Sequence, residues 1–560
     1  MLNKLVNSSD SARRIMRMFL PEMTDYDEIK SQFKLEIPEF YNFGFDVIEK
    51  MAKEHDKTAF IAVDNKGENI RHYAFSDLDL ASNQFANALL ATGAKKGDFA
   101  FVMLPRIPEW YFTMIGCCKS GVVAMPGTAM LSAKDIEYRI NRSKAKLIIV
   151  TSENAIKVDE VKHLCPTLKT FIVIGEAREG WQCYSEITSH ASDTLDKTQL
   201  EPTRSSDLMI MYFTSGTTAM PKMVPRDHSY ALAHSITARY WMDLKEDDIH
   251  WTLSDTGWAK AAWGMLFSPW QMGVTVILFN GEGFDAELHL KLIEKLGVTT
   301  FCAPPTIYRV FAQMDLSQYN LTSIRHAIGA GEPLNPEVIK VWREATGSDI
   351  YDGYGQTETI NIVANYPAIP VKPGSMGKPV PGVDVHIVDE EGNVSDVDTV
   401  GHIAIRITEP LAPGMFAGYW QDDEATALSF RNGWYLTGDT GTIDEDGYIW
   451  FVGRSDDVIS SSGYRISPFE VESYLLEHPA VHESAAVGKP DEIRGEIVKA
   501  FIVLAPNFEP SDVLTKELQD FMKKTTAPYK YPREIEYRES LPKTVSGKIR
   551  RVELREEGIS

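Results

Sequence analysis

The chain lacks the features of several large protein classes. No apolar run approaches the length that a membrane span needs, and there are no internal repeats or low-complexity tracts. A Walker A phosphate loop is also absent. Cysteine is rare, odd in number and without metal-ligand spacing, so we expect reduced and mostly buried thiols at Cys117, Cys118, Cys165, Cys183 and Cys302.

Positive charge is in short supply. The 57 basic residues are outnumbered by 79 acidic ones, and the formal net charge is -22. This balance argues against a nucleic acid or an anionic membrane as partner. Anionic substrates would therefore need locally basic sites. The length of 560 residues exceeds a single ordinary domain.

The N-terminus has some transit-peptide character. It contains serines and four basic residues, which are Lys4, Arg13, Arg14 and Arg17. The segment is short, however, and Asp10 interrupts it. We therefore expect an ordinary exposed arm and a cytoplasmic protein.

A run of small and hydroxylated residues follows one apolar segment. The apolar segment, Leu208 to Phe213, predicts a buried strand. The run offers backbone amides, hydroxyls and one ammonium to an anion, as phosphate sites do. It consists of Thr214, Ser215, Gly216, Thr217, Thr218, Ala219, Met220, Pro221 and Lys222. We expect a phosphate loop at the end of a strand, although a flexible surface turn would have a similar composition.

The hydrophobic pattern predicts an α/β protein with three successive regions. Strand and helix signals alternate from about Arg71 to Ile350, as in parallel sheets. Residues 373–452 read as short strands and turns, which predicts a small antiparallel sheet or β-barrel. After Asp456 the pattern is that of a compact α+β domain. We expect an N-terminal domain at 1–455 and a mobile, hinged C-terminal domain at 456–560.

Four further motifs follow the loop in order. They are Tyr354-Gly355-Gln356-Thr357-Glu358, Tyr435-Leu436-Thr437-Gly438-Asp439, Gly453-Arg454-Ser455-Asp456-Asp457 and Pro542-Lys543-Thr544-Val545-Ser546-Gly547-Lys548. With the loop, this series resembles the acyl-adenylate-forming superfamily of acyl-CoA synthetases, adenylation domains and luciferases. The resemblance runs from about Tyr73 to the C-terminus and is strongest to the medium-chain acyl-CoA synthetases.

The resemblance implies an ATP site. Thr214, Ser215, Gly216, Thr217, Thr218 and Lys222 would bind the β- and γ-phosphates, with Ala219 standing where the family usually has glycine. Glu358 would be the Mg²⁺ ligand, with Thr357 near the α-phosphate, because a cation shared with phosphates needs only one or two carboxylates. Asp439 and Arg454 would hold the ribose. The adenine would lie between two segments, Gly331-Glu332-Pro333-Leu334 and Asp352-Gly353-Tyr354.

The C-terminal region carries the residues implied for catalysis and for domain movement. Lys548 would bridge the carboxylate and the α-phosphate, since a point charge suits a developing anion. Asp456 matches the hinge. Gly463, Tyr464 and Arg465 resemble the loop that enters the site for the thioester step. A basic stretch at Lys523, Lys524, Lys530 and Arg533 could receive the CoA phosphates or form an ordinary solvated face.

The acyl pocket is expected near Trp258 and Gly355. Acetyl-CoA synthetases have tryptophan where this chain has Gly355, so glycine should leave room for longer chains. Lys260 departs from the medium-chain pattern, which is apolar at that position. A lysine facing an acyl pocket costs desolvation, so we expect it to point away from the pocket; the alternative is a substrate with a polar group or a short branched chain.

These observations predict an AMP-forming acyl-CoA synthetase that uses ATP, CoA and Mg²⁺ with a small carboxylic acid of medium or branched chain. An aryl-CoA ligase or an enzyme that loads a carrier protein is a second reading. A non-catalytic nucleotide-binding protein is a remote third, and retained Lys548, Glu358 and Asp439 argue against it. A homo-oligomer is possible on this evidence.

Overall fold

The computed structural model describes residues 25–214, 220–281, 283–331, 334, 336–462, 464–491, 493–543 and 548–559. The side chains of Arg465 and Ile559 are outside this description. Several residues that the motifs single out also lie outside the described ranges, namely Ser215, Gly216, Thr217, Thr218, Ala219, Glu332, Pro333, Gly463, Thr544, Val545, Ser546 and Gly547.

The strands belong to four sheets. In chain order they are β1 (Thr58–Val63), β2 (Ile70–Ala74), β3 (Phe99–Met103), β4 (Val123–Pro126), β5 (Leu147–Thr151), β6 (Thr170–Ile174), β7 (Gln182–Cys183), β8 (Leu208–Phe213), β9 (Met223–Asp227), β10 (Ile249–Thr252), β11 (Thr275–Phe279), β12 (Thr300–Ala303), β13 (His326–Ala330), β14 (Ile350–Gly355), β15 (Asn361–Ala364), β16 (Lys378–Pro379), β17 (Val385–Val388), β18 (Gly401–Arg406), β19 (Phe430–Arg431), β20 (Trp434–Ile443), β21 (Ile449–Arg454), β22 (Ile459–Ser461), β23 (Tyr464–Ile466), β24 (Val481–Asp491), β25 (Gly495–Leu504) and β26 (Glu534–Tyr537).

Helices connect most of these strands. The α-helices are α1 (Tyr26–Gln32), α2 (Lys50–Glu54), α3 (Phe75–Ala91), α4 (Pro108–Ser120), α5 (Ala133–Ser143), α6 (Ser152–Val161), α7 (Tyr184–Ser189), α8 (His228–Ile236), α9 (Ala259–Ala262), α10 (Ser268–Gln271), α11 (Ala286–Leu296), α12 (Pro305–Ala312), α13 (Pro336–Thr346), α14 (Asp423–Ser429), α15 (Pro468–Leu476), α16 (Asp512–Thr525) and α17 (Arg551–Ile559). Turns of π-helix are Gly44–Glu49, Thr237–Trp241 and Trp263–Phe267; short 3₁₀ turns are Lys162–Leu164, Lys197–Gln199 and Leu316–Gln318.

Local sequence explains these elements. Strand β5 is the apolar run LIIVT and is buried along its whole length, as expected for a strand in the middle of a parallel sheet. Helix α5 begins at a capping box, in which Ser132 accepts from the Asp135 amide and Asp135 reciprocates. Pro108 opens α4 at a position where its missing N–H costs nothing.

Two large sheets form the N-terminal region. One has the order β16-β15-β14-β13-β12-β10-β11-β1-β2 and the other β7-β6-β5-β3-β4-β8-β9. Strands β12, β13 and β14 are parallel, and their register places Ala330 beside Gly353. The carboxyl ends of these strands therefore meet at one edge, where α/β sheets place their ligands.

A third sheet is antiparallel and a fourth belongs to the C-terminal region. The third has the order β17-β18-β20-β19, with β21 paired to β20, and it places Asp439 opposite Arg454. The fourth contains β22 to β26. Its side chains build a hydrophobic core of their own, which includes Ile459, Val471, Leu475, Ala500 and Leu518.

The predicted fold class is confirmed: α/β lobes with parallel sheets, a small antiparallel sheet and an α+β C-terminal region. The strand at Leu208–Phe213 has the predicted bounds. The first sheet begins earlier than predicted, at β1. Of the residues that are described, none belongs to a helix that is both long and apolar enough to cross a bilayer.

Candidate active site

The phosphate-loop motif connects two antiparallel strands. Phe213 at the end of β8 pairs with Met223 at the start of β9. The Thr214 amide donates to the Lys222 carbonyl at 2.9 Å, and the Lys222 amide donates to Thr214 Oγ1 at 3.1 Å. These two bonds close the base of the loop. The loop therefore leaves a strand end, as predicted, and it leads into the antiparallel strand β9.

Glu358 lies in a turn directly after β14. The Gln356 amide donates to Thr359 Oγ1 at 3.0 Å, which folds this turn around Thr357 and Glu358. Glu358 is buried, and the Tyr419 hydroxyl donates to its Oε1 at 2.8 Å. Burial raises the pKa of the Glu358 carboxyl, while the Tyr419 hydroxyl opposes that rise.

Arg226 holds the main chain at Glu358, a role that the sequence reasoning missed. Its guanidinium is buried, donates to the Glu358 carbonyl at 2.8 Å and also donates to the Gly414 carbonyl. It lies 3.9 Å from the centre of the Tyr230 ring. The one local indication in the sequence is an arginine within a buried strand, and it does not reveal that the Glu358 and Gly414 carbonyls are its acceptors.

Asp439 is the centre of a second hydrogen-bonded group. Its Oδ2 accepts from the Tyr354 hydroxyl at 2.5 Å and from Gln356 Nε2 at 2.8 Å. Arg454 Nη1 lies 3.2 Å from Oδ1. The structure thus brings together Asp439 and Arg454, which the motifs assigned to one ribose, and adds Gln356, which they did not. An ionised carboxylate held in this way is a fixed acceptor for hydroxyl groups.

Asp352 and Gly331 lie at neighbouring strand ends of the same sheet. Asp352 is buried and accepts from the Gly353 amide at 2.9 Å. Burial raises the pKa of Asp352 to about 8, against the opposing effect of the Gly353 and Leu334 amides. Gly331 has φ +111°, a conformation that side chains other than glycine rarely adopt. The backbone conformation at position 331 therefore favours glycine.

Lys260 points into the protein. Its Nζ lies 3.4 Å from the Ala330 carbonyl oxygen at the end of β13. Burial raises the pKa of the Cys302 thiol, and the Lys260 ammonium opposes that rise, so the two groups are near each other. The Ala330 carbonyl at the sheet edge accepts a hydrogen bond from the ammonium. That Lys260 points away from an acyl pocket stays a prediction. Trp258 lies directly before helix α9, which carries Lys260, and its amide donates to the Asp255 carbonyl at 3.2 Å.

Gly355 is required for a reason other than open volume. A Cβ atom at this position would lie 2.3 Å from the Ile360 carbonyl oxygen and 3.0 Å from the Asn361 Cα atom. The strand pairing is irregular at this point, between Tyr354 and Gly355. Glycine therefore allows two backbones to approach beside the turn that carries Glu358. The close approach adds a second reason for glycine here, and the role of Gly355 in an acyl pocket stays a prediction.

The hinge motif follows β21 directly. Asp456 is exposed, and its carboxylate lies 3.8 Å from Arg454 Nε. Arg555 of α17 donates to the Asp456 carbonyl at 2.5 Å and pairs with Asp457 at 2.9 Å. Lys548 is exposed and lies just before Ile549, which forms an antiparallel bridge with Lys543. Tyr419 donates to the Glu358 carboxylate, and Tyr354, Gln356 and Arg454 donate to Asp439.

Aromatic and basic side chains lie together in the C-terminal region. The half-exposed Tyr464 ring stacks on Tyr529 with a centroid distance of 4.2 Å. Lys523 and Arg533 both lie over the Tyr531 ring, at 4.4 and 4.9 Å. Lys530 pairs with Glu470 at 2.5 Å. Part of the predicted basic stretch therefore surrounds one tyrosine.

A metal at this site would share its coordination with a ligand. Across the described ranges, no group of three or more His, Cys, Asp or Glu side chains could hold a metal ion. One buried carboxylate, Glu358, fits a Mg²⁺ ion that also contacts phosphate oxygens.

The strand-end loop, the ribose-type acceptor at Asp439 and the carboxylate at Glu358 have the character of an adenylate-forming enzyme. The family comparisons agree. The model of the AMP-binding enzyme family matches residues 47–420, and that of the AMP-binding enzyme C-terminal domain matches residues 470–548. The chain belongs to the AMP-binding enzyme family.

Its relatives define the activity further. The chain is 47% identical over 543 residues to acyl-coenzyme A synthetase ACSM3 of Mus musculus, covering 95% of this chain and 93% of that protein. It is 45% identical over 532 residues to acyl-coenzyme A synthetase ACSM4 of Homo sapiens, covering 93% and 91%. The anthranilate CoA ligase AuaEII, solved with anthranoyl-AMP, has a TM-score of 0.85 and 32% identity over 93% of this chain and 98% of that one. The protein is an AMP-forming acyl-CoA synthetase.

The cytoplasmic location is wrong. These curated acyl-CoA synthetases are named as mitochondrial proteins. The basic N-terminal segment that Asp10 interrupts lies outside the described residues, so its structure contributes nothing to the assignment.

Substitution of Gly355 tests the close approach at β14. We expect Gly355→Ala to lower adenylation with every acid and to lower the melting temperature, because the new Cβ atom would displace the Ile360 backbone. A shift toward shorter acids at unchanged total activity would contradict this account. Gly453→Ala is the matched control, because its Cβ would meet only ordinary contacts at 3.6 Å.

Asp352 predicts a pH-dependent stability. Its folded pKa of about 8 lies above the ordinary aspartate value of 3.8, so its contribution to stability is fully present below pH 3.8 and is lost as pH rises through 8. The loss amounts to at most roughly 1.4 kcal/mol per pH unit between these values. We expect Asp352→Asn to gain stability relative to the parent chain from pH 5 to pH 8, measured by chemical unfolding. A constant difference across this range would show that Asp352 is ionised in the folded protein.

Proposed function

We propose that this acyl-CoA synthetase activates medium-chain or branched-chain acids in two steps, with the C-terminal domain in a different orientation for each. The carrying observation is the pair of carboxylates, Glu358 and Asp439, that tyrosine hydroxyls hold in fixed positions. A carboxylic acid does not react with a thiol at neutral pH, because hydroxide is a poor leaving group. Activation by ATP removes that obstacle.

In the first step a carboxylate oxygen of the acid attacks the α-phosphorus of ATP, and pyrophosphate leaves. The residues assigned to the phosphates are Thr214, Ser215, Gly216, Thr217, Thr218, Lys222 and Thr357, and all of them except Gly216 carry a hydroxyl or an ammonium group. Bound Mg²⁺, held by Glu358, would supply charge neutralisation on the phosphates. Asp439 and Arg454 orient the ribose, and Lys548 stabilises the charge that develops between carboxylate and phosphate.

Adenine would lie between two strand-end segments. These are Gly331-Glu332-Pro333 and Asp352-Gly353-Tyr354, and the adjacent positions of Ala330 and Gly353 in the sheet support this placement. Asp352, with its raised pKa, is largely protonated near neutral pH and is then able to donate a hydrogen bond.

In the second step the CoA sulfur attacks the acyl carbon, and AMP leaves with its new oxygen. We assign Gly463, Tyr464 and Arg465 to the approach of the pantetheine arm. The exposed Tyr464–Tyr529 stack and the cations around Tyr531 support a site for CoA on this domain. Asp456 is the proposed hinge between the two orientations.

The acid pocket is proposed between α9 and the ends of β13 and β14. Trp258, Lys260 and Gly355 lie on these three elements or directly beside them. The motif resemblance favours medium-chain acids. An aryl acid is a second candidate, since the similar AuaEII structure is that of an anthranilate CoA ligase. The names of the curated relatives support a mitochondrial location.

Lys548→Ala separates the two steps. We expect this substitution to abolish acid-dependent pyrophosphate release, because the charge in the transition state loses its partner. Thioester formation from added acyl-AMP and CoA should be largely retained. Lys543→Ala is the matched control on the same segment, since Lys543 pairs with Glu483 at 2.6 Å. Equal loss in both half-reactions would contradict the two-orientation proposal.

Lys260→Met tests which class of carboxylic acid the enzyme prefers. Methionine has a similar length without the charge, so we expect kcat/KM for straight medium-chain acids to rise roughly two- to tenfold. Acids with an ω-carboxylate should lose activity, because their ion partner is gone. The series should include branched acids, benzoate and anthranilate at saturating ATP and CoA, with the exposed Lys340→Met as control. A uniform loss for all acids would show that Lys260 only supports β13.

A further inference from the structure

Tyr419 contacts two groups that the proposed mechanism assigns to different parts of Mg·ATP. Its hydroxyl donates to Glu358 Oε1 at 2.8 Å. On its ring, the Lys222 ammonium lies 4.7 Å from the centroid. One side chain therefore contacts both the carboxylate assigned to the cation and the lysine assigned to the phosphates.

The main chain around Tyr419 is bonded to the same two segments. The Phe416 amide donates to the Glu358 carbonyl at 2.9 Å. The Trp420 amide donates to the carbonyl of Met223, the residue after Lys222, also at 2.9 Å. The Tyr419 amide donates to Thr426 Oγ1 at 2.9 Å. The position of the tyrosine relative to both partners is thus set by backbone hydrogen bonds.

The ring is also restrained by packing. Phe416 meets it edge to face, with a centroid distance of 5.0 Å and an interplanar angle of 70°. A restrained hydroxyl selects one orientation of the Glu358 carboxylate, which is buried and depends on its donors. An ammonium over an aromatic ring is attracted to its face, so the ring draws Lys222 toward Glu358.

We propose that Tyr419 is a positioning residue that links Glu358 to Lys222, so that the cation-binding and phosphate-binding groups engage Mg·ATP together. This inference rests on the proposed role of Glu358. Tyr419 itself needs no contact with ATP. The hydroxyl of Tyr419 affects the gain in ATP affinity that Mg²⁺ brings, whereas the ring acts on Lys222.

Two substitutions separate the functions of the side chain. Tyr419→Phe removes the hydroxyl and keeps the ring under Lys222, whereas Tyr419→Leu removes both. The measurement is the Kd of ATP by calorimetry, without acid or CoA, once in excess EDTA and once in Mg²⁺. The ratio of the two values is the Mg²⁺ gain, and it does not depend on turnover.

For Tyr419→Phe we expect an unchanged Kd in EDTA and a Mg²⁺ gain reduced about three- to tenfold, as for loss of a hydrogen bond to a charged group. For Tyr419→Leu we expect weaker binding in EDTA as well. Tyr448 is the matched control, because its hydroxyl donates to the Pro370 carbonyl at 2.6 Å and its ring lies 4.4 Å from Lys372 Nζ. Tyr448→Phe and Tyr448→Leu should leave the Mg²⁺ gain unchanged.

The Glu358→Gln variant distinguishes failure of the proposed metal role of Glu358 from failure of the Tyr419 link. If Glu358→Gln keeps the full Mg²⁺ gain, the proposed metal role of Glu358 fails, and the Tyr419 link fails with it. If Glu358→Gln loses the gain but Tyr419→Phe retains it, only the link is overturned. The link is supported if Tyr419→Phe reduces the gain in the parent chain and adds nothing in the Glu358→Gln background.

Discussion

A carboxylate taken out of water must be supplied with donors, and the surroundings of Glu358 are organised around this requirement. Glu358 follows β14 of the nine-stranded sheet, while Arg226, which holds its carbonyl, belongs to β9 of the seven-stranded sheet. Tyr419, which holds its carboxylate, lies on the connection between β18 and β19 of the third sheet. The buried glutamate thus joins three parts of the N-terminal region, and the site is built at their junction.

The second fixed carboxylate extends this arrangement toward the C-terminal region. Asp439 in β20 is held by Tyr354 of β14, by Gln356 directly after that strand and by Arg454 from β21. Asp456 follows Arg454 by two residues, and α17 donates to its backbone through Arg555. The residues proposed for the ribose therefore lie next to the proposed hinge. A rotation at the hinge would move the C-terminal groups while Asp439 keeps its partners on the first sheet.

The sequence predicted the fold class and the bounds of β8 well, because the hydrophobic period is a local property. It could not predict long-range partners. Arg226 and Glu358 are 132 positions apart, and Tyr419 and Glu358 are 61 apart. The sequence did not identify the Ala330 carbonyl as the acceptor for Lys260, because no side-chain pattern reveals a backbone acceptor. The close approach of the Ile360 backbone to Gly355 was missed for the same reason.

The central claim is that the acid attacks the α-phosphorus of ATP and that AMP later leaves with an oxygen of the acid. The direct measurement is a complete turnover with an acid carrying ¹⁸O in both carboxylate oxygens, followed by mass analysis of the phosphate products. The account predicts one ¹⁸O atom in the phosphate of AMP, one retained in the acyl-CoA carbonyl and none in pyrophosphate. Label in pyrophosphate or in orthophosphate, or unlabelled AMP, would contradict it.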